Sequence, residues 1–379
     1  MDAIISDILS RVDSIDISGL NIVKFLENVK IGRKKYSIKR EEIAKLNYDK
    51  KICDIYGNYY TLDEIMLKNL KINELVGKFY GILSLDSNFI STRVLRNILN
   101  SLNKCINFKN EKRDITIYYD NKKDIKIKVI DSILNFLDYF TGNENVYNLI
   151  IYLSDEPKKL NNKLDHIGPD NVNSGYSIHG HHVCIWRKEE LEKVLFHEMV
   201  HQLDLHMINY QYLFGNFFSK INLDSKFLNS NEAYTEVLGL FLLYTWKFHY
   251  FNFSKLYKLE DFLTKCLNVQ LAWSYYQMAK ILKFFKCFKK YDDIFDKNIN
   301  CLIKEKSNVV AYYFLKTYFL KRIDKLFNFM SEGNVFISLS EVKKFKNNLD
   351  LHDDTGKIVD FIFNNISIDD DTMKMSYLM

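Results

Sequence analysis

Residues 194–206 read VLFHEMVHQLDLH and hold three of the chain's nine histidines. His197 and His201 are four positions apart. On an α-helix that spacing puts both imidazoles on one face, one turn above the other, so that two ring nitrogens can point at a single ion. Glu198 follows the first histidine directly. It flanks the ion without binding it and is placed to accept a proton from a zinc-bound water, whose pKa zinc brings toward neutrality. This is the HExxH arrangement, here HEMVH. Chance produces it about 0.01 times in a chain of this composition. The competing reading is an amphipathic helix with incidental surface His and Glu. Val194, Leu195, Met199, Val200 and Leu203 supply the apolar stripe that buries the other face in either case.

A catalytic zinc takes three protein ligands and keeps one position open. A third histidine further along the same stretch fails on spacing, because position 204 is Asp, position 207 is Met and His206 falls out of register. Asp204 lies three residues past His201, but the helix axis carries it away from the ion, so a role behind a ligand or at the helix surface is expected. The run NEAYTE supplies two more carboxylates, Glu232 and Glu236, four apart on one face of an otherwise apolar, aromatic-rich stretch. Two acids there are costly to bury unless something pairs them, and a cation does that. One of them can bind the ion while the other accepts the spare N–H of a ligand histidine and fixes its tautomer. Two solvent-facing glutamates at a helix start are the alternative.

HEMVH followed by NEAYTE resembles the gluzincin metallopeptidases, the group of zincins that includes thermolysin and anthrax lethal factor. The resemblance covers the two helices and the strand before them, with a longer spacer between the helices than in thermolysin. It implies His197, His201 and Glu232 as ligands of one Zn2+ per chain, Glu198 as general base, and Glu236 as the acid behind a ligand histidine. Glu236 is the substitute third ligand. It also implies an edge strand before the HExxH helix that holds substrate backbone, for which GYSIHGHHVCIWR is in place. His179, His181 and His182 then line the cleft or decorate an edge strand. A Tyr or His beyond the glutamate helix often stabilises the oxyanion in this group. Tyr210, Tyr312 and Tyr313 are candidates, each more ordinarily a packing residue.

The elements that must position these residues are legible in outline. DITIYYDNKKDIKIKVID reads as two short strands around a DNKKD turn, SILNFLDYF as a short helix, and NVYNLIIYLSD as an apolar strand. Residues 155–175 form a loop holding both prolines. YSIHGHHVCIWR reads as one strand, on which His182 and Cys184 share a face, and KEELEKVLFHEMVHQLDLHMINY as a helix. NEAYTEVLGLFLLYTWKFHYF reads as a second helix, buried rather than membrane-spanning, with Asn231 as its cap. The expected fold is α+β and mostly helical: a zincin-like core at 111–255, with helical regions at 1–110 and 256–379, the last with helices over 256–330 and 341–364.

Composition narrows the function classes. The chain has 379 residues, 27% charged and 47% hydrophobic, which is globular in character. A net charge of +5 without a basic block argues against nucleic acid as partner. No apolar stretch suits a bilayer and the N-terminus does not read as a signal peptide, so no membrane partner is expected. Six scattered cysteines without CxxC spacing read as reduced thiols and a cytoplasmic location. The excess of Lys, Asn, Ile and Tyr reads as codon bias of an AT-rich genome, such as that of a large DNA virus or an AT-rich protist. The expected activity is zinc-dependent hydrolysis of a protein or peptide substrate. The rival is a catalytically inactive zincin-fold scaffold, against which the retained Glu198 argues. A closed structural zinc site would use a fourth protein ligand, most often Cys, and none lies near in sequence.

Overall fold

Alternating apolar residues build the central sheet. In β3 (Arg113–Tyr119) every second side chain is buried, and Ile115 and Ile117 lie wholly inside. β3 is flanked by β2 (Lys104–Lys109) and β4 (Tyr147–Tyr152), and the six-stranded order is β1-β2-β3-β4-β6-β5, with β1 at Asp49–Asp54. β1, β2 and β3 pair antiparallel, β3, β4 and β6 (His182–Ile185) parallel. β5 (Gly175–Ile178) runs antiparallel to β6 at the edge. The computed structural model describes residues 1–15, 17, 49–54, 89–102, 104–142, 145–160, 165–205, 215–225, 229–324 and 354–377. The architecture is α+β and mostly helical.

The helices pack on both faces of this sheet. α2 (Thr92–Ser101; α1 is Asp2–Leu9) places Val94 and Ile98 against Tyr152, Tyr176, Cys184 and Trp186. The opposite face meets α3 (Ile127–Thr141), α4 (Leu191–Gln202) and α5 (Asn231–Tyr250) in a larger apolar core. α6 (Leu259–Phe285), a π-helical turn at Ala311–Leu315 running into α7 (Lys316–Lys321), and α8 (Thr355–Asn365) extend it. Ile5 and Ile8 of α1 belong to the same core. α5 is buried over most of its length, as its apolar run demands. No helix among the described residues is long and apolar enough to cross a membrane.

Several local expectations are corrected. The segment expected as a second strand after DNKKD is the start of α3. Ile130, Ile133, Leu134, Leu137 and Phe140 are buried at helical spacing, and Gly142 ends the helix at φ 67°. A hairpin partner for β3 has no place there, because β2 and β4 already flank it. YSIHGHHVCIWR is a hairpin rather than one strand: Gly180, at φ +73°, turns the chain between β5 and β6. Asn231 does not cap α5; it lies in the first turn, and its N–H is accepted by Asn229 Oδ1 at 3.0 Å. Residues 286–310 are not helical throughout. They hold β8 (Ile303–Lys304), which pairs parallel with β7 (Leu223–Asp224). Cys287 and Cys301 are joined by a disulfide, contrary to the expectation of reduced thiols, while Cys184 and Cys266 are free and buried. The predicted helical stretches within 18–48, 55–88 and 341–353 lie outside the described residues.

Glu305, just after β8, anchors the helical segment that follows. Its Oε2 accepts the Val310 N–H at 2.8 Å, and burial pushes its carboxyl up to about 8. The unfolded chain loses this proton near the ordinary value of about 4.3, so the folded state holds the extra proton between the two values and stability falls as pH rises across that interval. Glu305→Gln keeps an acceptor but cannot ionise. Urea unfolding at pH 5.5 and pH 8 is expected to show a larger loss for the wild type than for the variant. Equal losses in both would mean that Glu305 titrates normally.

Candidate metal centre

α4 presents His197 and His201 one turn apart, with ring centroids separated by 5.0 Å. The first turn of α5 brings Glu232 to both. Its Oε2 lies 3.3 Å from His197 Nε2 and 3.6 Å from His201 Nε2. One ligand atom from each residue falls within 4.8 Å of the others, and this is the one such His/Cys/Asp/Glu group among the described residues. Three ligands held 2.0–2.2 Å from a tetrahedral zinc lie about 3.3–3.5 Å apart, so the residues fit that ion.

The two helices approach closely because of Gly239. A Cβ there would stand 3.3 Å from the backbone nitrogen of His197. One turn beyond Glu232, Glu236 comes up behind His197, its Oε1 2.9 Å from Nδ1. With Nδ1 against Glu236, Nε2 is left facing Glu232, the nitrogen a metal would take. Lys193 Nζ pairs with the same Glu236 oxygen. Glu236 therefore stands on the far side of the imidazole from the cluster.

Electrostatics mark the site as built for positive charge. Burial would raise the Glu232 carboxyl, but the His201 and His197 imidazoles hold it well below the usual carboxylate range. Burial works against charge on His197 too, yet Glu236 and Glu232 lift it to about 9. Glu198 is different. Burial raises its carboxyl, Glu232 adds to the rise, and the two histidines oppose it. A buried carboxyl raised in this way is a better proton acceptor than a solvated one.

Two residues of the site carried little or no signal in the sequence. Gly175 on β5 backs Glu198: a Cβ there would lie 3.0 Å from Glu198 Oε1 and 2.9 Å from Val194 Cγ1. Only a bare backbone lets the edge strand approach α4 so closely, and the glycine at the head of YSIH was the one available hint. Tyr312, on the π-helical turn, donates its hydroxyl to Glu232 Oε2 at 3.0 Å, and its ring lies 6.1 Å from that of His197. π-turns inside helices frequently occur at functional sites. Tyr313 points elsewhere, to the Met373 carbonyl. Tyr210 and His206 lie outside the described residues.

The remaining candidates stay apart from the cluster. Asp204, at φ 51°, pairs with the exposed His179 at 3.3 Å. His182 meets the Tyr176 hydroxyl at 2.9 Å, and Cys184 is buried beneath α2.

No protein-family model matches the chain. No solved structure matches it. The chain is similar to an uncharacterized protein of Acanthamoeba polyphaga mimivirus, 25% identical over 261 residues. The match covers 64% of this chain and 66% of the relative's own length. This similarity hints at a viral origin, in keeping with the composition.

Proposed function

We propose that the protein is a zinc-dependent metallopeptidase with a gluzincin-like centre. The observation that carries the reading is the convergence of His197, His201 and Glu232 from two helices, with a buried Glu198 next to the first histidine. His197, His201 and Glu232 would hold the ion. When bound, zinc supplies Lewis acidity, which acidifies water and polarises a carbonyl.

The chain's own groups do the rest. Glu198 takes the proton from the attacking water and passes it to the leaving nitrogen as the peptide bond breaks. The bare backbone of Gly175 backs the Glu198 carboxylate, leaving no room for a Cβ beside Oε1. The Tyr312 hydroxyl, which donates to Glu232 Oε2, is the donor offered to the developing oxyanion. The substrate lies extended along β5, the edge strand, whose backbone groups pair with it by strand addition. Glu236 keeps His197 oriented through Nδ1. A viral source and a cytoplasmic site of action belong to the same proposal, and the Cys287–Cys301 bond removes one support for the compartment.

A peptide library made from a digested proteome tests this directly. Zinc-loaded protein is expected to generate new termini, read by mass spectrometry, and a chelator in excess is expected to abolish them. A zinc-loaded, folded protein that cuts nothing in the library would favour a non-catalytic metal-binding scaffold.

A further inference from the structure

Lys193 sits one turn before His197 on α4, with 3% of its side chain exposed, and pairs with Glu236, whose side chain is fully buried. The other Glu236 oxygen, Oε2, is buried with no hydrogen-bond partner among the described residues. Oε1 is held by Lys193 Nζ and lies 2.9 Å from His197 Nδ1, an ion-pair contact outside hydrogen-bond geometry, so these two charge contacts at Oε1 are what orient the carboxylate.

Lys193 is itself held. Its Nζ lies 3.3 Å from Met375 Sδ. Met375 belongs to a C-terminal segment seated deep in the protein: Glu190 Oε1 accepts the N–H groups of Met375 and Ser376 at 2.9 and 2.7 Å, and the Met375 carbonyl accepts from Gln270 at 2.7 Å and Lys316 at 3.0 Å. Glu190 is also the residue that opens α4, in the left-handed region at φ 58°. For a residue with a Cβ that conformation is unfavourable, and its carboxylate's contacts to the segment and to Lys158 Nζ at 2.8 Å hold it there.

We propose that Lys193 is a positioning residue of the metal centre: clamped by the Met375 segment, its ammonium fixes Glu236, and Glu236 aims His197 Nε2 at the ion. The inference rests on the metallopeptidase reading of the site. It differs from simple charge compensation of a buried glutamate, which would affect folding and leave metal affinity alone.

The test is a zinc titration of folded apoprotein against a competing chromophoric chelator. The wild type, Lys193→Met, Glu236→Gln and the double variant are compared, with thermal melts of each apoprotein alongside. Lys193→Met is expected to weaken zinc binding about 10- to 100-fold, as loss of an outer partner typically does. Glu236→Gln should weaken it similarly, and the double variant should bind no more weakly than Glu236→Gln, since both changes act through one carboxylate. If Lys193→Met lowers the melting temperature yet binds zinc within about two-fold of the wild type, the proposal is overturned. Should Lys193→Met not fold, the comparison of Glu236→Gln with the double variant decides, because the double variant carries no unpaired buried carboxylate. A further tenfold weakening there, or wild-type affinity in Glu236→Gln, overturns the relay. A folded wild type that binds no zinc sinks the metallopeptidase reading itself, and the same titration distinguishes that outcome.

Discussion

Wild-type protein dialysed against metal-free buffer is expected to retain about one zinc per chain, and His201→Ala and Glu232→Ala are each expected to retain none. The geometry makes all three ligands necessary. His197 and His201 alone offer two nitrogens on one helical face, and Glu232 Oε2, at 3.3 and 3.6 Å from them, closes the third side. Among the described residues no other His, Cys, Asp or Glu joins the group in place of Glu232. Glu236 touches His197 at Nδ1, on the opposite edge of the ring, and cannot reach an ion bound at Nε2. Both variants should remain folded: the His201 side chain is 21% exposed, and Glu232 lies in the first turn of α5 rather than in its packed middle. Elemental analysis by mass spectrometry with matched circular dichroism gives the answer. Zinc lost in His201→Ala but kept in Glu232→Ala would move the third ligand elsewhere. Absence of zinc from a folded wild type would return HEMVH to the status of an ordinary amphipathic helix.

Glu198→Gln is expected to keep the zinc and lose the proposed peptidase activity, by about 10²- to 10⁴-fold in kcat, the range for removing a general acid–base group. The substitution is nearly isosteric, so the close approach to Gly175 is retained. What disappears is the capacity to take a proton, and burial has already made this carboxyl a stronger acceptor than a solvated glutamate. Tyr312→Phe provides the contrast. It deletes the hydroxyl that meets Glu232 at 3.0 Å, leaves the aromatic packing against His197, and is expected to keep zinc while lowering kcat about 10²- to 10³-fold. Cleavage rates on one peptide substrate, each normalised to bound zinc, separate the two roles. A Glu198→Gln protein that cleaves at the wild-type rate would falsify the assignment of the base.

The cluster was legible where its members are neighbours along one helix. Four-residue spacing is a property of the helix itself, so His197 with His201, and Glu232 with Glu236, could be paired without knowing the fold. The same local logic misled elsewhere. The alternation in DIKIK suggested a strand, but sheet pairing is a long-range property, and β3 had no vacant edge. The hairpin at Gly180 was missed because one glycine in an alternating run does not announce a turn by itself.

The amino-acid sequence by itself determined that two helices each carry a pair of groups suited to one metal ion, that a carboxylate sits beside the first histidine, and that the chain is mostly helical with a small sheet. Only the tertiary structure decided which glutamate faces the cluster and which stands behind His197. That depends on the crossing of α4 and α5, set where Gly239 lets the helices meet. Tertiary structure also selected Tyr312 among twenty-five tyrosines, from a segment 80 residues beyond Glu232, and brought Gly175 and Lys193 into the account. Helical periodicity is encoded by neighbours a turn apart, whereas these contacts arise from packing between elements far apart in the chain, and no local spacing records them.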